Sequence, residues 1–232
     1  MAEKVLSLET SGMSGEVALL EGDTLVYESQ VRPDERTAKY LSARIDESLN
    51  AVGWQPTEVD LVAVTQGPGS FTGLRVGVTT AKVFAYATNA GVVGVNCLQA
   101  VAAQVSVNEP TTVAAVMDAH RQEVFAARFQ VAEDTIPELL DTPAPISIDE
   151  WIQARLADKS HTVVSGPVLG KISDRLGDEL TLADSESWTL RASTIGRLGL
   201  AIHKAGHSDD FWGLVPEYYR KSAAEEKAAG GN

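Results

Sequence analysis

Residues 61–65 form an apolar run. They lead into Gln66-Gly-Pro-Gly-Ser-Phe-Thr-Gly-Leu-Arg-Val-Gly77, and a helical pattern follows. A glycine-rich turn between a strand and a helix presents backbone N–H groups at the helix start, where they can meet an anion or a partner. The same residues also suit a tight strand-to-helix turn with no ligand. Gly67, Gly69 and Gly73 lack the spacing of a dinucleotide fingerprint, and no lysine stands where a Walker A loop needs one. Gly69-Ser70-Phe71 is not the Gly-x-Ser-x-Gly of a nucleophile elbow, so Ser70 is not expected to attack a substrate. Upstream, Glu9-Thr10-Ser11-Gly12 closes the first apolar run. An acid there can organise a cation and phosphate, with hydroxyls and turn amides holding the oxygens. The anion- or nucleotide-binding candidates are therefore Thr10, Ser11, Gly12, Gly67, Gly69 and Ser70.

No catalytic residue and no metal ligand set is assigned. His203 and His207 are four apart, as zinc ligands can be, but no third ligand accompanies them. Cys97 has no base nearby in sequence and reads as a buried structural thiol. Asp118 matches Glu9 in position within the second half but lacks a glycine-rich turn behind it.

Gly73, Gly77, Ala81 and Ala85 recur every fourth residue and so share one helix ridge. Small side chains let a neighbour approach closely. That neighbour is either the chain's own sheet or another protein's helix. The partner interface is expected on this ridge.

The elements that would position these residues repeat a plan. Residues 5–9, 16–20 and 24–30 read as strands, 37–52 as a helix with Leu41, Ile45, Leu49 and Val52 on one face, 61–65 as a strand and 72–89 as a helix. A strand at 92–95 and a helix near 98–107 complete the first half, and Asn108-Glu109-Pro110 reads as a linker. Strands at 113–118, 123–131 and weakly 138–141 then restart the plan. A helix at 151–156 follows, started by a Ser147-Ile-Asp-Glu150 capping box, and then a strand at 163–165. Glu9 corresponds to Asp118, and Gln66-Gly67-Pro68 to Ser165-Gly166-Pro167. The expected fold is α/β, with two tandem ribonuclease-H-like lobes as in the actin, sugar-kinase and heat-shock ATPase superfold, which alone does not fix function. The expected division is 1–107 and 108–232, with helix 191–205 crossing back onto the first lobe and a frayed end at 222–232.

The chain has 232 residues, 44% of them hydrophobic, which is enough for a sizeable core. One cysteine excludes an internal disulfide and suits a reducing cytosol. No apolar run approaches a bilayer span and no signal-peptide layout opens the chain, so a cytoplasmic location without membrane contact is expected. A net charge of −13 argues against direct, tight binding of nucleic acid, which needs clustered cations. Pro216-Glu-Tyr-Tyr-Arg-Lys221 joins aromatic rings to two cations and could touch RNA or an acidic partner, or pack its rings on the domain.

Four stretches in order carry a resemblance: Val5-Leu-Ser-Leu-Glu-Thr-Ser11, the block from Gln66 to Gly77, Met117-Asp-Ala-His-Arg-Gln-Glu-Val124 and Pro216-Glu-Tyr-Tyr-Arg220. Together they resemble the bacterial TsaB family, also called YeaZ, over nearly the whole chain. Glu9 stands where that family commonly has Asp, and Arg36 where relatives often carry His. The resemblance implies a role in making threonylcarbamoyladenosine beside the anticodon of tRNA, as a non-catalytic assembly and activating subunit. It implies a TsaD-like catalytic subunit that carries the metal and transfers the group, and a TsaE-like ATPase that joins the pair. The helices of the first lobe would make the TsaD contact. It further implies tRNA held through the complex, ATP or ADP at the subunit boundary rather than a cofactor of the chain's own, no peptidase activity, and homodimers open as a state of the chain alone. The rival reading is a small-molecule kinase or ATPase of the same superfold.

Overall fold

The computed structural model describes residues 2–31, 37–158, 160–177, 179–210 and 212–220. The expected frayed end at 222–232 and the Arg36 departure lie outside the described residues.

The first sheet is built from β1 (Lys4–Glu9), β2 (Glu16–Glu21), β3 (Thr24–Gln30), β4 (Leu61–Gly67) and β5 (Gly91–Asn96), in the order β3-β2-β1-β4-β5. β1 pairs antiparallel with β2 and parallel with β4. The second sheet repeats the order with β6 (Thr111–Asp118), β7 (Glu123–Val131), β8 (Glu138–Leu139), β10 (Thr162–Ser165) and β11 (Thr181–Leu182), running β11-β10-β6-β7-β8. β6 and β10 are parallel, and β6 and β7 antiparallel. The two tandem ribonuclease-H-like lobes are thus present. The weak strand expected at 138–141 is short, and β9 (Ala144–Ser147), which the sequence reading missed, also lies against β7. Pro145 obscured it, because proline is tolerated only at sheet edges.

Central strands bury both faces and read as continuous apolar runs. Leu6, Leu8, Val62 and Val64 point to one side of the first sheet, where α1 (Thr37–Val52) and α2 (Phe71–Thr88) cover them. Val5, Ala63, Val93 and Val95 point to the other side, into a core shared with α3 (Cys97–Ala103), α6 (Ala192–Lys204) and the inner face of β6 and β7. The helix expected at 191–205 packs on β1, β2, β4 and β5. Gly196 and Gly199 allow this, since a β-carbon on Gly199 would stand 2.5 Å from that of Ala63. The outer face of the second sheet is closed by α4 (Ile148–Ala157) and the single-turn α5 (Leu169–Ile172). Ser147 caps α4, accepting from the Glu150 N–H at 3.2 Å and donating to the Glu150 carboxylate at 2.7 Å.

Both lobes turn at a corresponding point. Gly67 and Gly166 each precede a proline at the end of a parallel strand, with φ of +136° and +142°, a conformation open to glycine. In parallel α/β sheets, ligands and partners gather at the carboxyl ends of strands where the order reverses. In the first sheet that place lies between β1 and β4, at Glu9–Gly12 and Gln66–Ser70.

Candidate functional site

The turn after β1 and the loop after β4 form one knot. Thr10 N–H donates to Thr65 Oγ1 at 3.0 Å, and Ser70 N–H to the Ser11 carbonyl at 2.8 Å. Ser70 Oγ accepts from Gly73 N–H at 3.2 Å and so caps α2. Gly69 lacks a β-carbon where one would stand 2.5 Å from Ser11 Cβ. Glu9 is buried beside this turn and accepts from Ser11 N–H at 2.7 Å and Ser11 Oγ at 2.5 Å. Burial pushes the Glu9 carboxyl up to about 7, the Ser11 hydrogen bonds pull the other way, and repulsion from Glu16 adds to the rise.

The structure therefore gathers Thr10, Ser11, Gly12, Gly67, Gly69 and Ser70 in one place. The N–H groups of Thr10, Ser11, Ser70 and Gly73 already have acceptors inside the knot, and Thr10 and Ser11 are buried. Backbone donors that serve the turn are not free to hold phosphate. These contacts fasten β1 to α2, while Gly69 and Ser70 border the crevice described below.

The ridge is corrected. Gly73, Gly77, Ala81 and Ala85 are all buried within the chain. A β-carbon on Gly73 would collide with the Thr10 carbonyl, and one on Gly77 with the Thr10 side chain. Ala81 and Ala85 lie in the core between α2 and the first sheet. The partner face expected on these four residues faces inward, because the close neighbour that they admit is the turn after β1.

Other candidates have structural partners. Asp118 binds Lys171 Nζ at 2.6 Å and the His120 N–H at 2.7 Å; burial would raise its carboxyl, but these contacts outweigh it and hold the group below the usual range. Cys97 is fully buried, which drives its thiol well above the ordinary value. His203 Nδ1 lies 2.6 Å from Ser208 Oγ. Among the described residues no group of three His, Cys, Asp or Glu could hold a metal ion, and no helix is long and apolar enough to cross a membrane.

Two features escaped the sequence reading. The outer sides of α1 and α2 leave an apolar groove of about 470 Å³ between Ile45, Leu49, Thr80, Val83, Phe84 and Ala87, with Val83 62% exposed. The signal for it was the other stripe of α2, with Thr79 and Val83 opposite the small ridge. The second feature is a crevice of about 670 Å³ between the lobes, bordered by Phe71, Arg75, Asp118, Tyr218 and Arg220. The Pro216–Arg220 motif forms one of its walls.

A family model described as TsaD, tRNA N6-adenosine threonylcarbamoyltransferase, matches residues 34–168, more than half of the chain. The "tRNA threonylcarbamoyladenosine biosynthesis protein TsaB" of Bacillus subtilis (strain 168) is 26% identical over 228 residues, covering 96% of each protein. The protein of that name from Escherichia coli (strain K12) is 28% identical over 235 residues, covering 98% of this chain and 99% of the relative. A tRNA N6-adenosine threonylcarbamoyltransferase of Geotalea uraniireducens (strain Rf4) is 39% identical over 127 residues, or 52% of this chain and 37% of the relative. The solved structure of YeaZ from Pseudomonas aeruginosa has the same fold, with a TM-score of 0.76 at 22% identity over 93% of this chain and 99% of that one.

Proposed function

We propose a function that starts from membership: the chain belongs to the TsaB branch of the threonylcarbamoyladenosine-biosynthesis family that the TsaD model describes. Within that biosynthesis it acts as a non-catalytic assembly and activating subunit. Its partner is a TsaD-like subunit that transfers the threonylcarbamoyl group to adenosine beside the anticodon, and a TsaE-like ATPase joins the pair. The tRNA is held through the complex, since a chain of net charge −13 repels phosphate. ATP or ADP sits at the subunit boundary, and the chain brings no cofactor of its own. In the absence of the partner, two copies meet through the same face.

The observation that carries this reading is the groove between α1 and α2. Exposed Val83 beside half-buried Phe84, over buried Ile45 and Leu49, is an apolar surface with a shape that a helix can fill. A TsaD-like protein related over half of this chain suits it as a pseudo-symmetric partner. The surroundings of three candidate side chains support the non-catalytic part: Ser70 caps α2, Cys97 is buried and Asp118 pairs with Lys171. Against the kinase or ATPase reading, the second lobe offers one glycine at its strand end, and Gly166 is packed against the Val116 backbone.

The test is Val83→Arg in the full chain, titrated against a TsaD-like subunit. The exposed side chain can change without loss of fold, while a cation buried in an apolar contact weakens binding at least ~10-fold. Unchanged affinity with an intact circular dichroism spectrum overturns the reading.

A further inference from the structure

We propose that residues 209, 210 and 212–220 belong to a strap that couples α2 to the second lobe across the inter-lobe crevice. This goes beyond the assembly role and concerns the chain alone.

The strap begins on the open edge of β5. Asp209 N–H donates to the Val92 carbonyl at 3.0 Å, and the Asp209 carboxylate accepts from Gly94 N–H at 2.7 Å. It then runs beside α2, where Lys82 Nζ donates to the carbonyls of Trp212 and Leu214 at 3.2 and 3.0 Å while the Leu214 side chain is buried under the helix. At the end of β4, Gln66 Nε2 donates to the Val215 carbonyl at 2.9 Å and the Gln66 carbonyl accepts from Glu217 N–H at 2.8 Å. Gly67 makes this passage: a β-carbon there would stand 2.5 Å from the Glu217 carbonyl oxygen. Arg75, one turn into α2, donates from Nε to Tyr218 Oη at 2.9 Å, and the rings of Phe71 and Tyr218 lie 4.7 Å apart.

The far end belongs to the other lobe. The Arg220 guanidinium donates to the Ala119 carbonyl at 2.7 Å and pairs with Glu123, so it clasps both sides of the β6–β7 turn. The Tyr219 ring meets Phe125 at 6.1 Å, while its hydroxyl accepts from Asn96 Nδ2 of the first lobe at 2.9 Å. The described residues of this stretch are thus tied to α2 through Arg75 and Lys82, and to the second lobe through Arg220. Two arginines and a lysine hold it by polar contacts, while Leu214 and Tyr219 pack its two ends on the apolar cores of the two sides. A shift of α2 displaces the carbonyls that Lys82 grips, and the displacement arrives at Arg220. The crevice walls, Phe71, Arg75 and Tyr218 on one side and Asp118 and Arg220 on the other, then move relative to one another.

Native-state amide hydrogen exchange on the full chain tests this. In the Arg75→Ala, Lys82→Ala double variant, the amides of Ala119 and Glu123 should exchange at least ~10-fold faster, although neither substituted residue touches them. Coupling is reciprocal, so Arg220→Ala should speed exchange at Leu214 and Glu217 by a similar factor. Acceleration confined to 212–218 in the first variant, with Ala119 and Glu123 unchanged, overturns the proposal. So does an Arg220→Ala protein with parent rates at Leu214 and Glu217. Neither readout involves a partner, so failure here leaves the assembly role standing.

Discussion

The Thr10 carbonyl oxygen occupies the space where Gly73 would carry a β-carbon. The turn after β1 therefore rests directly on the backbone of α2, with no side-chain layer between them. Two further glycines extend the seam, Gly69 against Ser11 and Gly77 against the Thr10 side chain.

Backbone cannot yield as a flexible side chain can, so Gly73→Ala should destabilise the fold by on the order of 2–3 kcal/mol. Urea denaturation followed by far-ultraviolet circular dichroism measures this. Gly170→Ala is the internal control: a β-carbon there meets nothing within 4 Å and φ is not positive, so the change should be neutral or slightly stabilising. Equal effects of the two substitutions would mean that the seam is not tight.

The seam also explains what could be read from the sequence and what could not. Apolar runs ending at Glu9 and Asp118, with hairpins behind them, announced the repeated sheets because side-chain period and burial fix strands locally. The four-residue ridge of small side chains was equally plain, but its direction was not. Small residues at helical spacing look the same whether the close neighbour is another protein or a carbonyl at Thr10, more than sixty positions upstream. The strap was less legible still. Pro216-Glu-Tyr-Tyr-Arg220 has no periodicity, and its meaning lies in Gln66, Arg75, Asn96 and Ala119, all at least a hundred residues away.

Glu9 gives a pH prediction. Its folded pKa, about 7, stands above the ordinary value of about 4.3 because burial disfavours the carboxylate. The folded state then binds the proton more tightly than the unfolded state, so this group's contribution to stability falls as pH rises from about 4.3 to about 7. Glu9→Gln keeps an acceptor for the Ser11 N–H and hydroxyl but cannot ionise. The variant should gain roughly 2 kcal/mol over the parent at pH 8 relative to pH 5. Denaturation midpoints at the two pH values provide the measurement, and parallel pH profiles for parent and variant would count against a buried titrating carboxyl.

The start of α6 holds two carboxylates with opposite pH behaviour. Glu16 of β2 accepts from Ala192 N–H at 2.8 Å, and Glu28 of β3 from Ser193 N–H at 3.0 Å, so both meet the positive end of the helix. Arg191 reaches both acids but lies closer to Glu28. Burial dominates at Glu16 and raises its pKa, despite the Ala192 hydrogen bond. Burial also acts at Glu28, but the hydrogen bonds from Arg191 and Ser193 outweigh it and lower the pKa. A lowered carboxyl contributes stability above its unfolded pKa and loses it as pH falls through the folded value; a raised carboxyl does the reverse. Glu28→Gln should therefore cost about 1 kcal/mol at pH 7, a figure kept small because Arg191 is half exposed, and cost less as the solution is acidified. Glu16→Gln should be neutral or stabilising at pH 7, since the amide still accepts from Ala192 without the desolvated charge. Chemical denaturation of both variants at pH 7 and pH 4 separates them. A stability loss of the same sign and size for both at pH 7 would mean that Arg191 serves the two acids alike, and that burial does not set Glu16 apart.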